Sequence, residues 1–236
     1  MIKRADKGIN VKNANWKFSG EVAKRFDRHI SRSVPYYSEG HDLINKISDF
    51  FIKNKSNCCE IGSSTGTLLS KLYRRHKDKN ASFLGIEIEK DMVKVSKKKI
   101  EKKIKIINKD FLNIRLKDKY DLIISYYTAQ FIEPKNRQAF FNKIFNSLNW
   151  GGGFVLFEKV RAPDARFQDM MTGVYEDFKL DNKFSASEII SKKRSLKGVL
   201  EPFSSQENFN LMKRAGFKDF MTIFKYTSFE GFLSIK

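Results

Sequence analysis

The stretch Cys58-Cys59-Glu60-Ile61-Gly62-Ser63-Ser64-Thr65-Gly66-Thr67-Leu68-Leu69 decides the fold of this 236-residue chain. A short run of small and apolar residues ends in Glu60, two glycines follow, and a helical pattern begins after them. Glycine is needed where a strand turns sharply into a helix and a ligand approaches bare backbone. The first N–H groups of that helix then point at the ligand and carry a partial positive charge. The stretch therefore predicts a strand, a ligand-binding turn and a helix.

A second apolar run, residues 81–87, also ends in a carboxylate, that of Glu87. A carboxylate at the end of the second strand can accept hydrogen bonds from both hydroxyl groups of a ribose. A dinucleotide fingerprint would need glycine at Thr67, and no lysine follows as it does in a phosphate-binding P-loop. The spacing of Gly62 and Gly66 instead resembles the S-adenosylmethionine (SAM) motif of class I methyltransferases. An ordinary tight turn between strand and helix is the alternative.

The composition is that of a globular protein, with 41% hydrophobic and 14% aromatic residues. No run of roughly 18 apolar residues is present, so no transmembrane helix is expected. The N-terminus lacks the apolar segment of a signal peptide. Cys58 and Cys59 fall on a predicted buried strand and are interpreted as small apolar residues, which indicates a reduced, cytoplasmic protein. His29, His41 and His76 are scattered without the spacing of metal ligands, so no metal site is expected.

The formal net charge is +19, and lysines concentrate between residues 94 and 105. A basic run on or after a helix can bind the phosphates of RNA or of another polyanion. Aromatic residues are not interleaved with this run, which favours a solvated, lysine-rich face. RNA contact therefore stays open as an interpretation but is not the favoured one.

Alternation of strands and helices predicts a Rossmann-like α/β fold with a mainly parallel, seven-stranded sheet. Strands are predicted at 57–61, 82–88, 104–108, 121–125, 154–158, 220–225 and 231–235, and helices at 19–31, 40–53, 66–76, 90–101, 136–148 and 206–215. Gly151 to Gly153 is predicted to be a loop. We expect an N-terminal arm and helix at 1–39 and a SAM-binding α/β domain at 40–236, with a helical insertion at 160–205 after the fifth strand.

Pairs of residues near the predicted strands suit the parts of a sulfonium nucleoside. Asp110 and Phe111 follow the third strand, where the carboxylate can accept from the adenine amino group and the ring can stack on the base. A turn aspartate and a core phenylalanine are nearly as good an interpretation of these two residues. Tyr36 and Tyr37 precede the nucleotide domain and could fill the core or stabilise a sulfonium cation with an aromatic face.

Several further stretches, taken together, resemble one family. They are Asn15-Trp16-x-Phe18, Phe26-Asp27-x-His29-Ile30, Arg32-Ser33-Val34-Pro35-x-Tyr37, Gln130-Phe131-Ile132-Glu133-Pro134, Leu148-Asn149-x-Gly151-Gly152, Glu158-Lys159, Asp177-Phe178-Lys179, Ser185, Glu188-Ile189, Lys193-Arg194-Ser195 and Ala215-Gly216-Phe217. As a set they resemble the carboxy-S-adenosylmethionine (carboxy-SAM) synthases, which have the class I methyltransferase fold. The likeness runs from about residue 13 to the end, and the Arg-Ser-Val-Pro and Lys-Arg-Ser segments are its most particular parts.

The resemblance implies that the sulfonium methyl group of SAM is carboxylated, with prephenate supplying the carbon dioxide. The product would serve modification of the wobble uridine of tRNA. The resemblance also implies a homodimer, a new carboxylate bound by Arg194, and Tyr37 at the ligand. A guanidinium suits that role because it offers two parallel donors to a carboxylate. By position alone, Arg194 would be interpreted as a surface cation in a Lys-Lys-Arg cluster.

The predicted site is therefore explicit. The cofactor-binding residues are Tyr37, Glu60, Gly62, Ser63, Gly66, Glu87, Ile88, Asp110, Phe111 and Tyr126, and the catalytic residues are Arg194 and Tyr37. The bound molecule is expected to be SAM, carboxy-SAM or S-adenosylhomocysteine. Two alternatives stay open: a SAM-dependent methyltransferase with an open pocket for a small acceptor, and a non-catalytic, RNA-associated module that binds SAM and uses its basic face.

Overall fold

The computed structural model of the chain describes residues 14–236. Within this range the strands are β1 (Asn57–Ile61), β2 (Ser82–Glu87), β3 (Lys105–Asn108), β4 (Tyr120–Tyr126), β5 (Leu148–Lys159), β6 (Asp219–Tyr226) and β7 (Phe229–Ile235). The helices are α1 (Glu21–Ser33), α2 (Tyr37–Ile47), α3 (Thr67–Arg75), α4 (Lys90–Ser96), α5 (Arg137–Ser147), α6 (Ala165–Asp181), α7 (Ala186–Ser195) and α8 (Ser205–Ala215).

The strands form one seven-stranded sheet in the order β3-β2-β1-β4-β5-β7-β6. Strands β1 to β5 pair in parallel, whereas β7 runs antiparallel to both β5 and β6. The prediction of a mainly parallel, seven-stranded sheet is confirmed. The chain moves outward from β1 to β3 and then returns to place β4 on the other side of β1. Ligands of such sheets bind at the carboxyl ends of the strands where the order reverses.

Side chains of the central strands alternate between two cores, one on each face of the sheet. Cys59 and Ile61 pack in a core that includes residues of α5 and α8. Cys58 packs in a second core with residues of α2 and α3. Both cysteines are buried and free. The double coverage accounts for the continuous apolar runs of the strands.

The insertion between β5 and α8 consists of two helices with good N-terminal caps. The Asp164 carboxylate accepts from the Phe167 N–H at the start of α6, at 3.1 Å. Ser185 and Glu188 form a capping box at the start of α7. The predicted helical insertion after the fifth strand is confirmed. Among residues 14–236, no helix combines the length and apolar character needed to cross a membrane.

The predicted loop at Gly151 to Gly153 is wrong, because these residues belong to β5. The Gly151 N–H donates to the Lys236 carbonyl at 2.7 Å, and the Lys236 N–H donates to the Gly152 carbonyl at 3.0 Å. Pairing with the final residue therefore continues the strand through the glycines. The β4–β5 ladder is irregular at this point, since Leu148 pairs with Tyr120 and the next pair joins Gly153 to Leu122. The predicted helix at 90–101 also ends early, at Ser96.

Candidate active site

A cavity of about 750 Å³ opens at the carboxyl ends of the parallel strands. Its walls come from the ends of β1, β2, β4 and β5, the glycine loop after β1, and helices α1, α2, α6 and α7. Seven of the predicted site residues line it: Tyr37, Glu60, Gly62, Ser63, Glu87, Ile88 and Tyr126. The structure thus brings most of the predicted nucleoside site together at the expected edge of the sheet.

The glycine loop needs both of its glycines, for different reasons. Gly62 has a φ of +70°, and a Cβ atom there would lie 2.8 Å from Cβ of Thr128 and closer still to its Oγ1. Gly66 has a φ of +78° and precedes α3, where an added Cβ would overlap the side chain of Ile100. Gly62 lines the cavity and Gly66 does not. Gly66 therefore shapes the turn, and its predicted contact with the ligand stays a prediction.

Glu87 ends β2 and is held rigidly by backbone donors. Its Oε2 accepts from the Ser64 N–H at 2.7 Å and its Oε1 accepts from the Glu89 N–H at 2.8 Å. The side chain is only 5% exposed, and burial raises the pKa of its carboxyl group. Each carboxylate oxygen still has capacity for a second hydrogen bond. Ile88 lies beside it at the cavity and is 64% exposed, which leaves an apolar side chain free to contact a base.

Glu60, at the end of β1, has unsatisfied hydrogen-bonding capacity in the cavity wall. It is buried, and within the described residues its Oε2 has no hydrogen-bond partner. Burial, reinforced by the charge of Glu87, raises the pKa of Glu60 well above its usual range. A buried carboxylate oxygen without a partner is rare unless a ligand or water completes it. A donor on a bound ligand, such as the amino group of SAM, would complete this site.

Aromatic rings form the wall between the nucleoside end and β5. The Tyr126 hydroxyl donates to the Tyr37 carbonyl at 2.6 Å, and the two ring centroids are 5.0 Å apart. His41 and Tyr127 contact the same rings. Burial raises the pKa of Tyr37 well above its ordinary value, so its hydroxyl stays protonated. These rings can stabilise a sulfonium cation by their faces but cannot supply a phenolate base near neutral pH.

Helix α1 is tied to the glycine loop through Asp27. The Thr65 hydroxyl donates to Asp27 Oδ1, and Lys99 Nζ lies 2.6 Å from Asp27 Oδ2. The segment before α1 is anchored as well, because the Trp16 N–H donates to the Ser195 carbonyl at 3.2 Å. Trp16 and three residues of α1 or its approach, Phe18, Phe26 and His29, line the cavity. The Phe26-Asp27-x-His29 motif contains Asp27, but nothing in the spacing of its residues predicts a contact with the glycine loop.

Two cations that the sequence analysis quoted but gave no role in the site lie at the β5 end of the cavity. Lys159 ends β5 and Lys179 lies on α6, and their Nζ atoms are 4.4 Å and 4.3 Å from the centroid of the Tyr175 ring. Burial and the charge of Lys179 lower the pKa of Lys159 to about 8. Burial likewise lowers the pKa of Lys179 to about 8. We call Lys159 and Lys179 the lysine pair.

Besides Gly66, three predicted residues lie outside the cavity. Asp110 accepts from the Leu112 N–H at 2.9 Å and from Asn113 Nδ2 at 2.8 Å, as a turn aspartate does. Phe111 is buried, with its ring centroid 5.3 Å from that of Phe140. These contacts match the alternative that the sequence left open, and the adenine contacts stay predictions.

Arg194 is the third of these residues. Its side chain is exposed and makes no ion pair within residues 14–236, while its carbonyl accepts from the Ala14 N–H at 3.1 Å. It does not line the cavity. The lysines between residues 94 and 105 do not line it either. The basic run and the cationic end of the cavity are therefore separate features.

The protein resembles known proteins over nearly its whole length. A family model described as a methyltransferase domain matches residues 59–152. A carboxy-S-adenosyl-L-methionine synthase of Staphylococcus epidermidis is 35% identical over 230 residues, which cover 97% of this chain and 100% of that protein. The protein of the same name from Campylobacter hominis is 37% identical, with 94% of each chain covered. An O-methyltransferase family protein of Burkholderia thailandensis, 10% identical, superposes with a TM-score of 0.66 over 91% of this chain and 59% of its own, which shows a shared fold.

Proposed function

Because this chain belongs to the family of the carboxy-S-adenosyl-L-methionine synthases, we propose that it binds SAM in the cavity and carboxylates the sulfonium methyl group. The observation that carries the proposal is the composition of the two ends of the cavity. One end has the carboxylates of Glu60 and Glu87, which suit a cationic nucleoside with hydroxyl groups. The other end has the lysine pair, which suits an anion. A methyl donor alone would need no cations there.

The roles at the nucleoside end follow from the chemistry of each side chain. Glu87 has fixed acceptors for the ribose hydroxyls, and exposed Ile88 offers apolar contact to the adenine. Glu60 can accept from the amino group of the methionyl part. We assign Gly62 and Ser63 to contacts with the methionyl part, and Tyr37 and Tyr126 to contacts with the sulfonium. Gly66 keeps the cofactor contact predicted from the sequence. Asp110 and Phe111 keep the predicted contacts with the adenine.

The second substrate proposed is prephenate, which carries two carboxylates. Loss of carbon dioxide and of the ring hydroxyl converts prephenate to an aromatic keto acid. The carbon dioxide forms the new bond to the methyl carbon of SAM, and the methyl proton and the hydroxide leave together as water. The aromatic wall around Tyr37 excludes water from the reacting methyl carbon and holds the sulfonium in place.

We also propose that the protein acts as a homodimer, with Arg194 contributing to the site of the second copy. The exposed Arg194 side chain lies outside the cavity of its own chain. Helix α6 exposes Phe167, Met170 and Val174 at helical spacing, an apolar face that a partner helix can cover. The two buried free cysteines support a reducing, cytoplasmic setting. The product is proposed to serve modification of the wobble uridine of tRNA. RNA contact through the basic run is not the favoured interpretation, and the basic run has no role in the site.

Mass spectrometry of the reaction products tests the function. Incubation of the protein with SAM and prephenate is expected to yield carboxy-SAM and the keto acid in equal amounts. Transfer of an intact methyl group to an added small acceptor, with formation of S-adenosylhomocysteine, would instead identify a methyltransferase. Binding of SAM without any product would point to the non-catalytic module, for which RNA affinity should fall steeply with salt.

Arg194→Ala is expected to lose retention of carboxy-SAM while keeping its affinity for SAM. The reason is that a charge-assisted pair, about 1.5–3 kcal/mol, exists only with the carboxylated ligand. Isothermal titration with each nucleoside measures both affinities, and sedimentation velocity on the same samples reports the dimer. Lys213→Ala, which removes an exposed cation on α8, serves as the control. An equal loss of affinity for SAM and for carboxy-SAM would show that the role given to Arg194 is wrong.

A further inference from the structure

We propose that the lysine pair binds the carboxylates of the second substrate, a small dianionic organic acid, on the β5 side of the cavity. The inference rests on the proposed function and specifies where its co-substrate lies. It is carried by the placement of Lys159 and Lys179 around Tyr175 and by the absence of a carboxylate partner for either lysine within residues 14–236.

The sheet topology separates this subsite from the nucleoside end. Glu60 is the next-to-last residue of β1 and Glu87 ends β2, whereas Lys159 ends β5, which lies beyond β4. The rings of Tyr126 and Tyr127, at the end of β4, stand between them in the strand order. A nucleoside over β1 and β2 therefore presents its methyl group toward β4 and β5. The lysine pair is then on the side from which a carboxyl donor would approach.

The ring of Tyr175 organises the two ammonium groups without neutralising them. Its hydroxyl donates to the Ser33 carbonyl at 2.7 Å, which fixes the ring between α6 and the end of α1. Lys159 Nζ also lies 5.8 Å from the centroid of Phe229. Aromatic faces attract ammonium groups but leave their N–H donors unused. Both Nζ atoms thus lie against one ring with donors available for a single dicarboxylate.

The local charge balance favours an anion. Lys179 is only 8% exposed, and burial of an unpaired ammonium group is costly. The nearest carboxylate on its helix, that of Glu176, forms an ion pair with Lys193 at 3.1 Å and offsets only part of the charge of the lysine pair. Asp169 also lines the cavity but lies about 15 Å from Lys179 along α6 by the helical rise. Lys197 adds a further cation to the same wall. A bound dianion would compensate the lysine pair.

The pH dependence of binding should follow the lysine pair. The groups that face it are Lys193, Lys197, Glu176 and Tyr175. Because the pKa of each lysine is lowered to about 8, both carry a charge at pH 7 and lose it above pH 8. Affinity for a dianionic acid is therefore expected to be constant below pH 7 and to fall as the pH rises through 8. SAM affinity, measured over the same range, should not follow this decline, because the nucleoside end is lined by Glu60 and Glu87 and not by the lysine pair.

Substitution of the lysine pair tests the subsite. Lys159→Met and Lys179→Met keep the apolar stem against Tyr175 and remove the charge. Each is expected to raise the KM for prephenate, and the Kd for malonate used as a turnover-free probe, by about ten- to a hundredfold. Lys179→Arg, which retains the charge, should recover part of the loss. SAM affinity and kcat extrapolated to saturating prephenate should change far less.

Lys213→Met is the matched control, since this lysine is exposed on α8 and does not line the cavity. Melting temperatures check that each variant folds. Unchanged KM and Kd in both lysine variants, or no binding of malonate or prephenate to the wild-type protein, would overturn the subsite. If the wild type makes no carboxy-SAM but the variants still lose dianion binding, the proposed function fails and the subsite stands. If carboxy-SAM forms equally well in the variants at low prephenate, the subsite fails and the function stands.

Discussion

Replacement of Glu87 by alanine is expected to weaken SAM binding by about a hundredfold or more. Two hydrogen bonds from ribose hydroxyls to a carboxylate are each worth about 1.5–3 kcal/mol, and both would be lost. The same carboxylate also holds the Ser64 and Glu89 N–H groups. Its removal therefore loosens the turn to which we assign the contacts with the methionyl part. Isothermal titration with SAM gives the affinity directly.

Glu133→Ala is the control for Glu87→Ala, because that carboxylate is exposed and does not line the cavity. It should leave the Kd for SAM unchanged. Circular dichroism shows whether each variant keeps its helices and strands. Wild-type affinity in a folded Glu87→Ala protein would mean that the ribose does not lie at the end of β2, and the nucleoside assignment would then be wrong.

Gly62→Ala is expected to lower both the stability of the protein and its affinity for SAM. Gly62 has a left-handed backbone conformation. A residue with a Cβ atom in that conformation lowers the free energy of unfolding by about 1–2 kcal/mol. The new methyl group would also press on Thr128, and overpacking of this kind costs about 1–3 kcal/mol more. Relief of this contact displaces the loop, so bound SAM should be lost together with stability. Thermal unfolding with and without SAM measures both effects.

Gly151→Ala separates the two contributions to the cost at Gly62. Gly151 has a similar φ of +74°, but an added Cβ would meet nothing within 4 Å. Gly151→Ala should therefore lower the free energy of unfolding only by the backbone cost, about 1–2 kcal/mol, and should leave the affinity for SAM unchanged. Adding Thr128→Ala to Gly62→Ala removes the two closest atoms and should restore part of the stability. Equal losses at Gly62 and Gly151 would contradict a steric role for Thr128.

The site residues that could be predicted from sequence are those whose positions follow from the conformation of the neighbouring backbone. Gly62 and Glu87 could be placed because a strand-to-helix turn requires glycine and a strand end presents its last side chain at the sheet edge. The sheet was predictable for the same reason, since each apolar run and its following helix form one local unit. The extension of β5 through Gly151 was not, because it depends on pairing with Lys236 at the far end of the chain.

The lysine pair was not predictable from sequence, because its members meet only through tertiary structure. Lys159 and Lys179 are brought together by the return of α6 over the end of β5, and nothing in their spacing indicates a shared ring. Arg194 shows the opposite case, because resemblance implies a role for it whereas its exposed side chain does not line the cavity of its own chain. Tyr36 was not predictable either. It has a left-handed φ of +53°, its ring centroid lies 4.8 Å from that of Tyr226, and its neighbours in the sequence indicate neither feature.

The reactivity of the adjacent cysteines of β1 can be used to measure how often the central strand becomes exposed to solvent. Cys58 and Cys59 lie on the central strand between β2 and β4, and burial raises the pKa of both thiols. Because only an exposed thiolate reacts, alkylating reagents should modify them only when the strand separates from its neighbours. Any compound that binds the folded state should slow that labelling in proportion to its occupancy. The rate of thiol modification can therefore rank ligands for this protein without any assay of turnover.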